Sequence, residues 1–194
     1  MSCFYPFVPV KSVEILQRWI DELDVTISIL DPRKTKLGDF KVRRNRLYIT
    51  INNNLNQYSF LITLTHELSH AFVFKKYKKH VKPHGKIWQS TFKSLMLNFL
   101  TPDYFPKDIL KVLSHHMISP KASTYTDFSL ARVLRDYDQV DSVILSDLAI
   151  GDFFKITNGR IFQKGEKRRK RYRCLESKTK NVYLLHPFLE VIRL

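Results

Sequence analysis

From Tyr58 to Tyr77 the chain runs without a glycine or a proline, while Leu61, Leu64, Leu68, Ala71 and Phe72 recur at spacings of three and four. That period predicts one long helix with an apolar stripe, and a helix of this length commits the rest of the domain to covering it. Set into it is His66-Glu67-Leu68-Ser69-His70. Positions i and i+4 lie about 40° apart around a helix axis, so both imidazoles can reach one metal ion while Glu67 stands close enough to handle a water held there. Neutral imidazole nitrogen suits Zn2+, and an ion with one open position polarises a carbonyl and lowers the pKa of its water toward ~7. The plain alternative is a chance match on an exposed helix face; the long helical context is the one the motif requires.

A catalytic zinc needs a third protein ligand. The next glutamate after Glu67 is Glu166, far along the chain, which argues against a downstream glutamate. Val73 and Lys76 stand where an extended motif would place a glycine and a third histidine. His80, His84, His115 and His116 remain. His84, in Pro83-His84-Gly85, is the best placed, because a turn there can bring its imidazole back over His66 and His70; the competing reading is that it caps the next helix. His115 and His116 are expected on the surface at a helix end, favourable near its negative pole. His80 sits in the basic loop Lys75 to Lys82, where it could help hold an oxyanion or simply be solvated.

Val13, Leu16, Trp19, Ile20 and Leu23 predict an opening amphipathic helix over 11–23. VTISIL (25–30) and RLYITI (46–51) read as strands of a small antiparallel sheet, separated by a stretch containing Gly38 and many charges. After Pro83 and Gly85, Trp88, Phe92, Leu95, Met96 and Phe99 mark a second helix, and Pro106 to Met117 a shorter third.

Of 194 residues, 44% are hydrophobic and only 5 are glycine, enough for a core and too few turn formers for a disordered chain. The formal charge of +15 draws the chain toward polyanions. Its distribution divides the chain: residues 1–120 hold 18 basic and 9 acidic groups, 121–150 hold 3 and 5, and 151–194 hold 12 and 4. The expected organisation is a domain at 1–120, a linker at 121–142 and a small basic β domain at 143–194. In the last, VILSDL, FFKIT, RIFQK, KRYRCL, NVYLL and LEVIRL alternate with turn residues in the manner of a small barrel. No stretch approaches the ~20 apolar residues of a membrane span. The N-terminal MSCFYPFVPVKS lacks the pattern of a secretory signal. Two cysteines, Cys3 and Cys174, give no disulfide framework. A soluble, cytoplasmic protein without a membrane partner is expected, nucleoid-associated if the source is bacterial.

Arg168, Arg169, Lys170, Arg171 and Arg173 form with Lys167 a cationic run beside Tyr172, with Phe153, Phe154, Phe162 and Tyr183 nearby in sequence. Cations neutralise phosphates and exposed rings stack on unpaired bases, so the five residues are candidate nucleic-acid contacts, single-stranded DNA favoured. The bland reading is a solvated hairpin loop with most of the aromatics in the core. Arg43, Arg44 and Arg46 have the same two readings.

Arg33, Leu37-Gly38, Ile49 to Leu55, HELSHA at 66–71 and HGKIW at 84–88 together make the chain resemble the SprT-like metallopeptidases, a family that includes the DNA-protein crosslink protease Spartan. The likeness covers about the first 100 to 120 residues. It implies an α+β fold, a zincin-like helical domain with a small sheet followed here by a small all-β domain. It also implies that His66, His70 and His84 bind zinc, that Glu67 is the general base, and that activity is coupled to DNA. Many members carry a C-terminal zinc ribbon with paired CxxC knuckles; here only Tyr172-Arg173-Cys174 remains, so no second zinc is expected and Cys174 reads as a buried strand residue.

The leading expectation is therefore a zinc metallopeptidase acting on proteins associated with DNA, in crosslink repair or linked to transcription. The alternative is a nucleic-acid-binding, transcription-related module with a structural or vestigial zinc site. A third reading keeps the peptidase but gives it an acidic protein substrate and no DNA.

Overall fold

The long helix forms where the periodicity places it: in the computed structural model α2 spans Gln57–Tyr77. Residues 3–33, 35–78, 81–121, 127–138 and 142–194 are described. Asn56 starts α2 by accepting hydrogen bonds from the backbone N–H of Tyr58 and Ser59 at 3.1 and 2.9 Å, which satisfies two of the donors that a helix N-terminus leaves open. Phe60, Leu61, Ile62, Leu64, Leu68 and Ala71 are all buried. They surround most of the helix, so α2 is an internal strut rather than a surface helix with one apolar stripe.

The chain divides into two units, Met1–Gln139 and Val140–Leu194. In the first, α1 (Val13–Leu23) ends at Asp24, whose left-handed φ of 52° turns the chain directly into β1 (Val25–Leu30). β2 (Gly38–Arg43) and β3 (Arg46–Asn52) form a hairpin with Arg44 and Asn45 at positive φ, the two-residue turn that matches strand twist. The order is β1-β3-β2, with β1 parallel and β2 antiparallel to β3. The sheet is thus mixed, which corrects the expectation of an antiparallel one. GDFKVR is a strand despite its charges because Phe40 and Val42 alternate onto the core while Asp39, Lys41 and Arg43 point outward. Once β2 takes the antiparallel edge of β3 through a tight hairpin, β1 is left with the other edge, where it runs parallel.

Helices α3 (Lys86–Met96) and α4 (Lys107–Ile118) follow. A fifth, α5 (Phe128–Arg135), falls inside the stretch expected to be a linker. It is helical because Leu130, Ala131 and Leu134 pack inward and Asp127 caps its first turn by accepting from Leu130 N–H. It is also anchored to α2, since Asn56 Nδ2 donates to the carbonyl of Leu134 at 2.8 Å. Residues 122–126 and 139–141 of that stretch lie outside the described residues.

The second unit is an antiparallel sheet of β4 (Phe153–Lys155), β5 (Ile161–Arg168), β6 (Arg171–Glu176), β7 (Val182–Leu185) and β8 (Ile192–Arg193), in the order β7-β6-β5-β4-β8. Its core is Leu145, Leu148, Phe154, Phe162, Cys174 and Val191. Two expectations are corrected here. Among the described residues the pairing ends at β7 and β8, so the sheet is open rather than a closed barrel. VILSDL gives no strand; Leu145–Asp147 is a single 3-10 turn, closed by Asp147 Oδ2 accepting from Ile144 N–H at 3.1 Å. Cys174 is fully buried in β6.

Candidate metal centre

His66 and His70 stand one turn apart on α2, on a backbone held by packing on several sides. His84 comes from the turn before α3. There the backbone N–H of Gly85 bonds back to the carbonyl of Lys82 at 3.0 Å, and His84 itself is held at φ 57°, a left-handed conformation unusual for histidine. That turn throws the imidazole back onto α2. The Nε2 atoms of His66 and His84 are 3.2 Å apart, those of His66 and His70 3.2 Å, and those of His70 and His84 3.0 Å. Ligands about 2.0–2.1 Å from one tetrahedral ion would be separated by roughly 3.3 Å.

The surroundings keep these rings neutral. Burial pushes His66 down to about 2, helped by the neighbouring His70 and His84, and His70 down to about 4; it lowers His84 as well. Uncharged nitrogens with lone pairs aimed at one point are the state a metal ligand needs. The donor set therefore fits one zinc ion with a coordination position left open. Trp88, fully buried, packs its ring against all three imidazoles at 4.6–5.3 Å between centroids. Phe40 stacks on His70 within 8° of parallel.

Glu67 turns toward β2 and is only 7% exposed. A carboxylate placed there needs room and a partner, and the sheet supplies both. Gly38 has no side chain where a Cβ would stand 2.8 Å from Glu67 Oε1, and the backbone of Phe40 next to it favours the charged carboxyl. The strand is delivered by Arg33, which bonds Asn52 Oδ1 at 2.8 Å and Thr50 Oγ1 at 2.9 Å, and by Asn52 N–H bonding the Leu37 carbonyl at 2.9 Å. Without metal, burial raises Glu67 to about 8, with the charge of Asp39 adding to the effect; a nearby dication reverses that preference.

His84 does not cap α3 through its side chain; Gly85 is the capping residue and makes no side-chain bond. His115 is exposed, as expected. His116 is not: at 3% exposed it corrects the surface reading, because the face of α4 that carries Ile109, Leu113 and Met117 inward carries His116 with it, and its Nδ1 meets Asp127 Oδ2 at 2.9 Å. His80 lies outside the described residues. Arg168, Arg169, Lys170, Arg171 and Arg173 are all exposed on the β5–β6 hairpin of the second unit. Of the aromatics near them in sequence, Phe154 and Phe162 are core, whereas Phe153 is 46% exposed. Gly38, Phe40 and Asp39 were absent from the expected site. The sequence signals there are a glycine between two strands and the place of Leu37-Gly38 in the family resemblance.

Two imidazoles one helical turn apart, a third from the following turn and a buried glutamate between the first two make a cluster that could hold one metal ion. Residues 16–110, about half the chain, match the model of the SprT-like family, and the first unit belongs to that family. No curated protein and no solved structure matches the chain.

Proposed function

We propose that this chain is a zinc-dependent metallopeptidase of SprT-like type that cleaves proteins associated with DNA. The observation that carries this reading is the meeting of three neutral imidazole nitrogens within 3.2 Å beside a buried glutamate that strand β2 makes room for. Zinc held there would supply Lewis acidity toward a peptide carbonyl and toward water. His66, His70 and His84 would hold it, stiffened by Trp88 and Phe40. Glu67, set against Gly38 of β2, takes the proton of the attacking water on its carboxylate and returns it to the leaving amine. A purely structural site would have no use for a buried carboxylate at that position, which disfavours the binding-module alternative.

The DNA half of the proposal rests on the second unit, where Arg168, Arg169, Lys170, Arg171 and Arg173 project from one hairpin and can neutralise phosphates of a single strand. Among the described residues no helix is long and apolar enough to cross a membrane. A cytoplasmic location with DNA is part of the proposal and rests on the basic hairpin alone. The deciding experiment measures bound metal and proteolysis, with and without single-stranded DNA, in the wild type and in Glu67→Gln. The amide keeps size and metal but cannot accept the proton, so hydrolysis should fall by about 10²–10⁴-fold. Activity within tenfold of wild type would rule out the role given to Glu67.

A further inference from the structure

The inner face of the second unit's sheet is closed by Phe154, Phe162 and Cys174 under Leu145, Leu148 and Val191. Its outer face is open. Strand alternation and register put Phe153, Gln163, Leu175 and Val182 in one row across four strands. Ile192, Lys155 and Ile161 make the next row, and Arg173 with Leu184 a third. Phe153, Ile161, Leu175, Val182, Leu184 and Ile192 are 36–55% exposed. A solvated face of an antiparallel sheet is normally polar, and a contiguous apolar patch rimmed by charge marks an interaction site.

The face also has a shape. At its centre Gly165 leaves a depression of about 320 Å³, bordered by Gln163, Arg173, Leu175 and Val182, with Glu166 at its rim. A bulge between Lys164 and Lys167 opens it, and a Cβ on residue 165 would stand 2.6 Å from the carbonyl oxygen of Arg173. Arg171 and Arg173 share this face along β6, and Arg168 lies opposite Arg171 on β5.

We propose that this face docks an acidic amphipathic segment of a partner protein, one apolar side chain entering the Gly165 depression and its carboxylates meeting Arg173 and Arg171. Charge complementarity selects this occupant. A second copy of the chain paired about a two-fold axis would set these arginines against their own kind. A nucleic-acid strand would stack its bases on aromatic rings, and apart from Phe153 the exposed apolar side chains of these rows are aliphatic. The proposal uses no residue of the metal centre and so does not rest on the hydrolytic reading; it shares Arg171 and Arg173 with the DNA reading, so an acidic segment and a DNA strand would compete for them.

The test uses the full chain and a labelled synthetic helix with leucine on one face and glutamate on the other, followed by fluorescence anisotropy. A matching helix with lysine in place of glutamate is the control. The glutamate helix should bind and the lysine helix should not. Leu175→Ser and Leu184→Ser should each weaken binding about tenfold, and Arg173→Glu should do the same while leaving the apolar rows intact. All three positions are exposed, so circular dichroism should be unchanged. Val10→Ser, on the first unit, should change nothing. The proposal is overturned if neither helix binds, if both bind alike, or if the serine variants leave affinity unchanged. It is equally overturned if Leu175→Ser and Leu184→Ser abolish self-association, or weaken single-stranded DNA binding as strongly as they weaken the helix.

Discussion

In the first unit the side chains with chemistry are inside: Glu67 is 7% exposed, Trp88 is fully buried, and three imidazoles touch one another behind it. In the second unit they are outside, five cations on a hairpin above a core of six buried residues. Burial fixes geometry and shifts protonation, so each inner residue depends on its neighbours and is costly to replace. Display leaves each cation solvated and nearly interchangeable, so the outer set acts by sum of charge and is screened by salt. The first arrangement suits the aimed chemistry proposed for the metal centre, and the second suits the polyanion binding proposed for the hairpin.

The contrast can be broken most sharply at His84. If the site needs all three imidazoles, His84→Ala should lose the bound zinc of the wild type, measured by elemental analysis, with helical content retained. Undiminished zinc would hand the third position to another residue. Next in size is Gly38. Gly38→Ala puts a methyl group 2.8 Å from both Glu67 Oε1 and Thr63 Cγ2, and overpacking of this kind costs about 1–3 kcal/mol. Denaturant unfolding should show the loss, together with a fall in hydrolysis because Glu67 is displaced. A neutral Gly38→Ala would mean that β2 does not press on the carboxylate.

Acid should separate the units, a smaller effect with a definite sign. In the metal-free protein His66 and His70 are depressed to about 4 or below, while the unfolded chain protonates them near 6.5. The first unit therefore loses stability as pH falls from 6.5. Glu67, raised to about 8, works in the other direction and costs stability as pH rises from about 4.5 to 8, so Glu67→Gln should flatten the alkaline arm alone. In the second unit the Arg160 bond to Glu176, with Thr179, holds that carboxyl down at about 2; its contribution is lost only as pH falls below about 4.5. Both tryptophans, Trp19 and Trp88, lie in the first unit. Tryptophan fluorescence should hence report acid unfolding at higher pH than circular dichroism of the β signal; coincident transitions would contradict the assignment.

The smallest structural effect belongs to the hairpin. Arg168→Ala/Arg169→Ala/Arg171→Ala should change stability by less than about 0.5 kcal/mol per site and leave zinc content alone. It should still flatten the salt dependence of single-stranded DNA binding by roughly two log units per log unit. Lys78→Ala is the comparison, since it removes a cation of the first unit at the end of α2. If only that variant alters the slope, the displayed hairpin has no part in holding DNA.

The sequence by itself determined what is local. The spacing of Leu61, Leu64, Leu68 and Ala71 sets a helix, and the same period puts His66 and His70 on one side of it, because both follow from 3.6 residues per turn. Alternating β-branched residues set β1 and β3, and the run of arginines around 168–173 sets a charged hairpin whatever it packs on. Tertiary structure decided what depends on residues far apart in the chain. The parallel pairing of β1 with β3, the meeting of His116 with Asp127 and the approach of Gly38 to Glu67 come from packing choices that carry no local period. His84 stands between the two. Its place before a helix is legible, but its contact with His66, 18 residues away, exists only because α3 packs on α2 and the turn holds His84 at a positive φ.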